Sequence, residues 1–207
     1  MSVQAEPGIL TIGHSNHSVS RLLELLALHG ATAVADVRSQ PYSRLHPDFN
    51  RETLRDALKV AGISYVYLGL ELGARSKDPS CYQDGRVQYR KLAQTELFRA
   101  GIERVVQGAQ THRIALLCAE REPLGCHRAI LVARELEARG AGVAHVLADG
   151  SLESHAQAVE RLLALFGLQE PDMFRTRQES IEEAYARQEQ RIAYVDDAVD
   201  ATTEGAA

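Results

Sequence analysis

The residues with the most chemistry to offer fall in four short clusters. The densest runs Cys118-Ala119-Glu120-Arg121-Glu122-Pro123-Leu124-Gly125-Cys126-His127-Arg128. A thiol beside an arginine at a helix start has its thiolate favoured by the positive charge and the helix dipole, which makes Cys126 a candidate nucleophile. The backbone amides at that helix start, with His127 and Arg128, suit an anion such as phosphate. Glu120 is a candidate acid/base group, and so is His14 in Gly13-His14-Ser15-Asn16-His17, because both titrate usefully when desolvated. Ser15 beside it is a candidate ligand contact. In Asp36-Val37-Arg38-Ser39 the two charged residues flank one apolar residue. In a strand they therefore project to one face and can serve one site. Ser43, just after Pro41, and Arg75, after the glycine-containing turn Leu72-Gly73-Ala74, complete the ligand-binding set.

Each cluster also has a purely structural reading. His14 and Ser15 can simply turn the chain ahead of Ser18, which suits a helix N-cap. Asp36 lies inside an apolar run, where an unpaired charge is costly, so it must pair with Arg38 or with backbone. Cys126 can be a small packed residue, with Arg128 bridged to Glu120. Cys118, Cys126, His127 and His14 could gather around zinc, but neither Cys-x-x-Cys nor His-x-x-x-His spacing occurs. No metal and no cofactor is therefore expected. A phosphatase-type loop needs five residues between Cys and Arg, and neither Cys118 nor Cys126 has an Arg at that spacing. Gly-x-Ser-x-Gly, Gly-x-Gly-x-x-Gly and Gly-x-x-x-x-Gly-Lys-Ser/Thr are all missing from the sequence, which argues against a hydrolase elbow, a dinucleotide fold and a P-loop.

The elements that must position these groups read as alternating strands and helices. Five apolar, β-prone runs are expected strands: Gly8–Ile12, Ala33–Val37, Ser64–Leu68, Arg113–Cys118 and Val143–Leu147. Between and after them lie helical stripes: Val19/Leu22/Leu23/Leu26, Leu54/Ala57/Leu58/Ala61, Phe98/Ile102/Val105/Val106, Ile130/Ala133/Leu136 and Leu152/Ala156/Val159/Leu163/Phe166. This pattern predicts an α/β domain of about five mainly parallel strands with helices on both faces. Nearly every chemical cluster follows a strand. In such sheets ligands bind outside the carboxyl ends of the strands, so the clusters should converge on one edge. The stretch Glu71–Gln94 is long for a connection and reads as a binding loop.

Composition sets the outer bounds. The chain has 207 residues, 45% hydrophobic and 25% charged, with no Trp. No apolar run approaches the roughly 18 residues of a membrane span, and Met1–Pro7 lacks the features of a signal peptide. Three Cys are too few for a disulfide framework, so a cytoplasmic protein with reduced thiols is expected. The net charge of −5 belongs to the end of the chain, where residues 170–207 carry ten Asp/Glu against four Arg. The expected domains are accordingly 1–169, the α/β body, and 170–207, a helical or disordered acidic tail. The body is nearly neutral, so it lacks a basic nucleic-acid footprint, although its bases are nearly all Arg.

Thr11-Ile12-Gly13-His14-Ser15, Asp36-Val37-Arg38-Ser39 with Pro41 and Ser43, Leu72-Gly73 with Arg75, and Cys118-Ala119-Glu120 followed by Cys126-His127-Arg128 together resemble the family called domain of unknown function 488. The resemblance spans roughly Ile9 to Leu147. It implies an α/β domain whose site is built from these motifs, and it brings no settled reaction. The family pattern has Leu-Gly-Gly before the third-motif Arg, whereas Ala74 stands here in place of the second Gly. From the residues, the expected function is an enzyme acting on a phosphate-bearing substrate, a nucleotide or nucleic acid among them, with no membrane partner. The alternatives are an anion-sensing or partner-binding module, or a thiol-dependent transferase using Cys126.

Overall fold

The expected strands form where β-branched and aliphatic residues run together. The computed structural model describes residues 8–170 and 174–196. Its elements in chain order are β1 (Ile9–Gly13), α1 (Val19–Leu28), β2 (Ala33–Asp36), α2 (Arg51–Val60), β3 (Ser64–Tyr67), α3 (Gly69–Leu72), β4 (Tyr82–Gln83), β5 (Arg86–Val87), α4 (Tyr89–Gln94), α5 (Glu96–Gly108) and β6 (Ile114–Cys118). A π-helical segment (Arg128–Ala133) then leads into α6 (Arg134–Glu137), β7 (Val143–Val146), β8 (Leu152–Ser154), α7 (His155–Leu165) and α8 (Arg177–Ile192). The main sheet has six strands in the order β3-β2-β6-β1-β7-β8. All its pairs are parallel except β7–β8. The fold is therefore α/β and mainly parallel, as the alternation predicts.

Successive strand residues alternate between two cores. Leu10, Ile12, Val34, Ala115, Leu117, Ala144 and Val146 pack with Leu22, Leu25 and Leu26 of α1 and with Leu54 and Leu58 of α2. Ile9, Ala33, Ala35, Ile114, Leu116 and Val143 pack on the other face with Phe98, Ile102 and Val105 of α5, the π-helical segment, α7 and α8. Both faces are covered, so the strands need no polar side and read as continuous apolar runs. Helix starts are set by side chains that accept orphan backbone N–H groups. Ser18 accepts from Arg21 N and Thr95 from Phe98 N, while Ser154 and Thr176 form reciprocal capping boxes at α7 and α8.

Three features depart from the simple alternation. Leu152, counted in the stripe of α7, belongs instead to β8, an edge strand antiparallel to β7. The long connection after β3 contains the β4–β5 hairpin and α4. The acidic segment 170–207, expected as a helical or disordered tail, contains α8, which packs on the body. Ala184 and Tyr185 are buried there, Gln188 Nε2 donates to the Leu124 carbonyl at 2.7 Å, and Tyr89 N donates to Glu189 at 2.7 Å. Beyond α8 the chain adds to the hairpin, where Val87 N donates to the Tyr194 carbonyl at 3.0 Å and Arg86 bridges to Val195. Of the end that composition marks as disordered, 196–207, Asp196 N donates to the Gly85 carbonyl at 2.7 Å, and residues 197–207 lie outside the described residues.

Candidate functional site

Parallel register brings the strand ends level. Gly13 of β1 lies opposite Cys118 of β6, and Asp36 of β2 lies opposite Leu117 of β6 and Tyr67 of β3. The loops leaving β1, β2 and β6 therefore start side by side. A Cβ on Gly13 would stand 1.8 Å from the Glu120 carbonyl oxygen, so only glycine allows the loop after β6 to fold back across β1. That loop is clamped from beneath. Arg128 is fully buried and donates from Nη1 to the Glu120 carbonyl at 2.6 Å and from Nη2 to the Arg121 carbonyl at 3.0 Å.

The clamp returns the chain so that Cys126 meets Cys118. Both thiols are buried, and Glu120 Oε2 lies 2.9 Å from Cys118 Sγ and 3.0 Å from Cys126 Sγ. His127 Nδ1 stands 3.8 Å from each sulfur, while its Nε2 donates to the Val37 carbonyl at 3.1 Å. The backbone N–H of Arg128 also points at Cys126 Sγ, at 3.4 Å. These four side chains form the floor of a cavity of about 230 Å³. Its walls include Arg38, Ser39 and Gln40 after β2, Ala74 and Arg75 after α3, Tyr89 of α4, Ile192 at the end of α8 and Tyr194 just beyond it.

The floor has strongly displaced protonation. Burial opposes the Cys126 thiolate, but a hydrogen bond from the Cys118 thiol and the charges of Arg128 and His127 hold its pKa well below the ordinary thiol value. The Cys118 thiol is pushed well above, first by its bond to Cys126 and then by burial. Burial would lower His127, but the neighbouring Cys126 charge raises it. Glu120 as a whole residue is exposed, yet desolvation of its carboxyl group and then the Cys126 charge raise its pKa. The arrangement can exchange a proton at Glu120, present a thiolate, or hold a cation among soft donors.

The other expected site residues take different places. Asp36 and Arg38 form a buried fork: Asp36 Oδ1 accepts from Arg38 N at 3.1 Å and Nε at 2.9 Å, and Oδ2 accepts from Nη2 at 2.7 Å and from the Tyr65 hydroxyl at 2.8 Å. Arg38 is thus held by Asp36 while its side chain borders the cavity. His14 lies behind it, stacked on Phe49 at 4.2 Å, with Nδ1 donating to the Ser15 carbonyl and Nε2 3.4 Å from Arg38 Nη1. Burial lowers its pKa to about 4, and it is not among the cavity-lining residues. Ser15 has a φ of +46°, and its N–H donates to the Ala119 carbonyl, which turns the chain out of β1. Ser43 Oγ accepts from Leu45 N and His46 N, and Ser43 N donates to the Asn50 side chain, all ahead of α2 and away from the cavity. Arg75 is exposed at the cavity, its guanidinium 4.5 Å from the Tyr194 ring, and its N–H donates to Ser39 Oγ.

The structure therefore brings Arg38, Arg75, Glu120, Cys126 and His127 to one cavity. It sets His14, Asp36 and Arg128 behind the walls as supports, and it leaves Ser15 and Ser43 in turns. Tyr89, Ile192 and Tyr194 were not anticipated. Their only sequence signal is aromatic or apolar character in segments of mixed polarity, and α8 delivers two of them from far along the chain.

The model of the family described as "Domain of unknown function DUF488" matches residues 18–134. That span takes in the Asp36–Arg38, Leu72–Arg75 and Cys118–Arg128 motifs and starts just after Ser15. No curated protein and no solved structure matches the chain.

Proposed function

The chain belongs to the DUF488 family, a domain of unknown function, so its activity must be argued from the cavity, and we propose that it is an enzyme acting on a small, phosphate-bearing substrate there. The observation that carries this reading is one cavity combining two arginines on its walls with Glu120, Cys118, Cys126 and His127 on its floor. Arg75 is the exposed cation that meets the anion first. Arg38 is held at the wall with Nε and Nη2 paired to the Asp36 carboxylate, which leaves Nη1, with one long contact to His14, as its donor for an anion. Arg128 is left out of this role because its Nη1 and Nη2 are occupied by the loop carbonyls. Glu120, raised in pKa by burial and by the Cys126 charge, is the group that exchanges a proton with the reacting atom. A cavity of about 230 Å³ takes a small molecule or the phosphate end of a nucleotide, and the neutral body offers little to a long nucleic acid.

The test is titration of inorganic phosphate, phosphomonoesters and nucleoside monophosphates into the protein by calorimetry. At least one is expected to bind, and Arg75→Ala is expected to weaken it about tenfold or more, as loss of a charge-assisted contact of 1.5–3 kcal/mol requires. No binding by any of them, or equal binding by Arg75→Ala, overturns the reading.

A second reading, thiol-dependent group transfer, is favoured by one contact set: Cys126 Sγ lies beside His127 Nδ1 and accepts the Arg128 N–H. It requires Cys126→Ser to abolish turnover while substrate still binds.

A further inference from the structure

The cavity floor has the donor set of a metal centre. The sulfurs of Cys118 and Cys126 and a ring nitrogen of His127 all lie within 4.8 Å of one another, and all three residues are buried. A tetrahedral zinc ion, with about 2.3 Å to sulfur and about 2.0 Å to nitrogen, sets its sulfur–nitrogen edges at roughly 3.6 Å. The two edges here are both 3.8 Å. The supporting contacts fit as well. A carbonyl only accepts, so the Val37 carbonyl fixes the proton on His127 Nε2 and turns Nδ1 toward the sulfurs. Ring orientation of this kind is what outer contacts supply at metal sites. The Arg128 N–H directed at Cys126 Sγ would stabilise the thiolate that coordination requires.

From this geometry we infer that Cys118, Cys126 and His127 bind a divalent, thiophilic cation of the zinc class, with its fourth position open toward the cavity beside Glu120. The sequence gives no Cys-x-x-Cys because the two thiols come from different elements, one from the end of β6 and one from the loop that Arg128 clamps back. Binding exchanges two thiol protons for the cation: both protons leave to solvent, both cysteines coordinate as thiolates, and His127 coordinates as neutral imidazole through Nδ1. Three protein ligands with one open position are the pattern of catalytic rather than structural zinc. Glu120 Oε2 accepts from both thiols without the cation, at 2.9 and 3.0 Å; when the cysteines coordinate as thiolates it loses those donors, and its carboxylate is released to take a proton from a water or substrate group at the open position. The inference deepens the proposed function and rests on the same cavity floor, but zinc titration reads it separately from phosphate binding.

The experiment uses the full chain, stripped with a chelator and titrated with zinc alone against a chromophoric competitor. The result expected is one zinc per chain. Cys118→Ser and Cys126→Ser should each weaken binding by more than about 100-fold, the upper range seen even for loss of an outer contact, whereas Cys81→Ser, which alters a core thiol away from the cavity, should bind as the unaltered chain does. Because a serine variant can fail to fold, the unaltered chain is also loaded with cobalt. Intense visible bands of a tetrahedral site with thiolate-to-cobalt charge transfer are expected. No stoichiometric zinc, a cobalt spectrum without those bands, or zinc binding that survives both folded serine variants overturns the inference. In the first of these outcomes, alkylation of an uncovered Cys126 would identify the thiol reading as the correct one. Loss of zinc with phosphate binding intact overturns this inference alone, and the reverse overturns the proposed function alone.

Discussion

Replacing Asp36 by alanine should cost this fold more than any other single change beside the cavity. Asp36 is fully buried and Arg38 is 5% exposed, so the pair is out of water. The carboxylate accepts four hydrogen bonds, three of them from Arg38 and one from Tyr65. Without it, the guanidinium keeps one long contact, 3.4 Å from His14 Nε2. Removing one partner of a buried pair costs about 3–5 kcal/mol, because the other charge stays buried and uncompensated. Against a typical total of about 5–15 kcal/mol, Asp36→Ala should therefore be folded but marginal. The assay is urea denaturation at neutral pH of Asp36→Ala, Arg38→Ala and the double variant. Most of the cost comes from the stranded charge, so the double variant should be more stable than the summed single losses by about 2 kcal/mol, within the range seen for directly coupled residues. A loss below about 1 kcal/mol in Asp36→Ala, or strict additivity in the double variant, would refute the claim that Asp36 exists to hold Arg38 at the cavity wall.

Gly13→Ala places a methyl group 1.8 Å from the Glu120 carbonyl, so the loop must shift; calorimetry should show loss of phosphate binding together with a drop in stability of about 1–3 kcal/mol. His145 and His155 form a buried chain from Thr11 Oγ1 through both rings to the Tyr185 hydroxyl, with links of 2.7, 3.0 and 2.9 Å. Burial lowers both pKa values, His155 to about 4. The unfolded chain takes up these protons near pH 6.5 while the folded chain resists, so stability is full above pH 6.5 and falls as the pH drops toward 4. The His155 difference alone is worth about 3 kcal/mol at the acid end, and a urea midpoint that stays level from pH 7 to pH 4.5 would contradict it. Tyr185→Phe removes the α8 end of that chain and should lower stability by about 1 kcal/mol in the same urea assay. Truncation at residue 169 removes Ile192 and Tyr194 from the cavity wall, and phosphate binding by the truncated chain at undiminished affinity would show that α8 has no part in the site.

β1, β2, β6 and β7 were legible because each is an apolar run with turn residues at both ends, and burial on both faces makes that signal strong; β3, a half-buried edge strand, was legible from its β-prone Tyr65, Val66 and Tyr67. β8 was not, because its Leu152 sits at helical spacing from Ala156 and Val159 and only pairing to β7 decides the matter. The stripe Ile130/Ala133/Leu136 marked a helix, but its π-helical winding was not legible, because all six residues from Arg128 to Ala133 are buried and their apolar positions do not fix the pitch. α8 read only as part of a helical or disordered tail because its buried side is narrow, resting on Ser180, Ala184, Tyr185 and Gln188. At the site, residue types and the convergence at the strand ends could be read from one-dimensional order. The division of labour among the arginines could not. Arg128 and Arg38 look alike in sequence, yet one is committed to two carbonyls and the other borders the cavity. The meeting of Cys118 with Cys126 depends on that clamp and on the close approach over Gly13, which are tertiary facts.

The most direct test of the central claim is to incubate a cell-extract metabolite pool with the protein and follow it by mass spectrometry, alongside Glu120→Gln. The account predicts that at least one phosphate-bearing species is consumed by the unaltered chain and spared by Glu120→Gln, with both chains equally folded. Identical metabolite profiles for the two chains would contradict it.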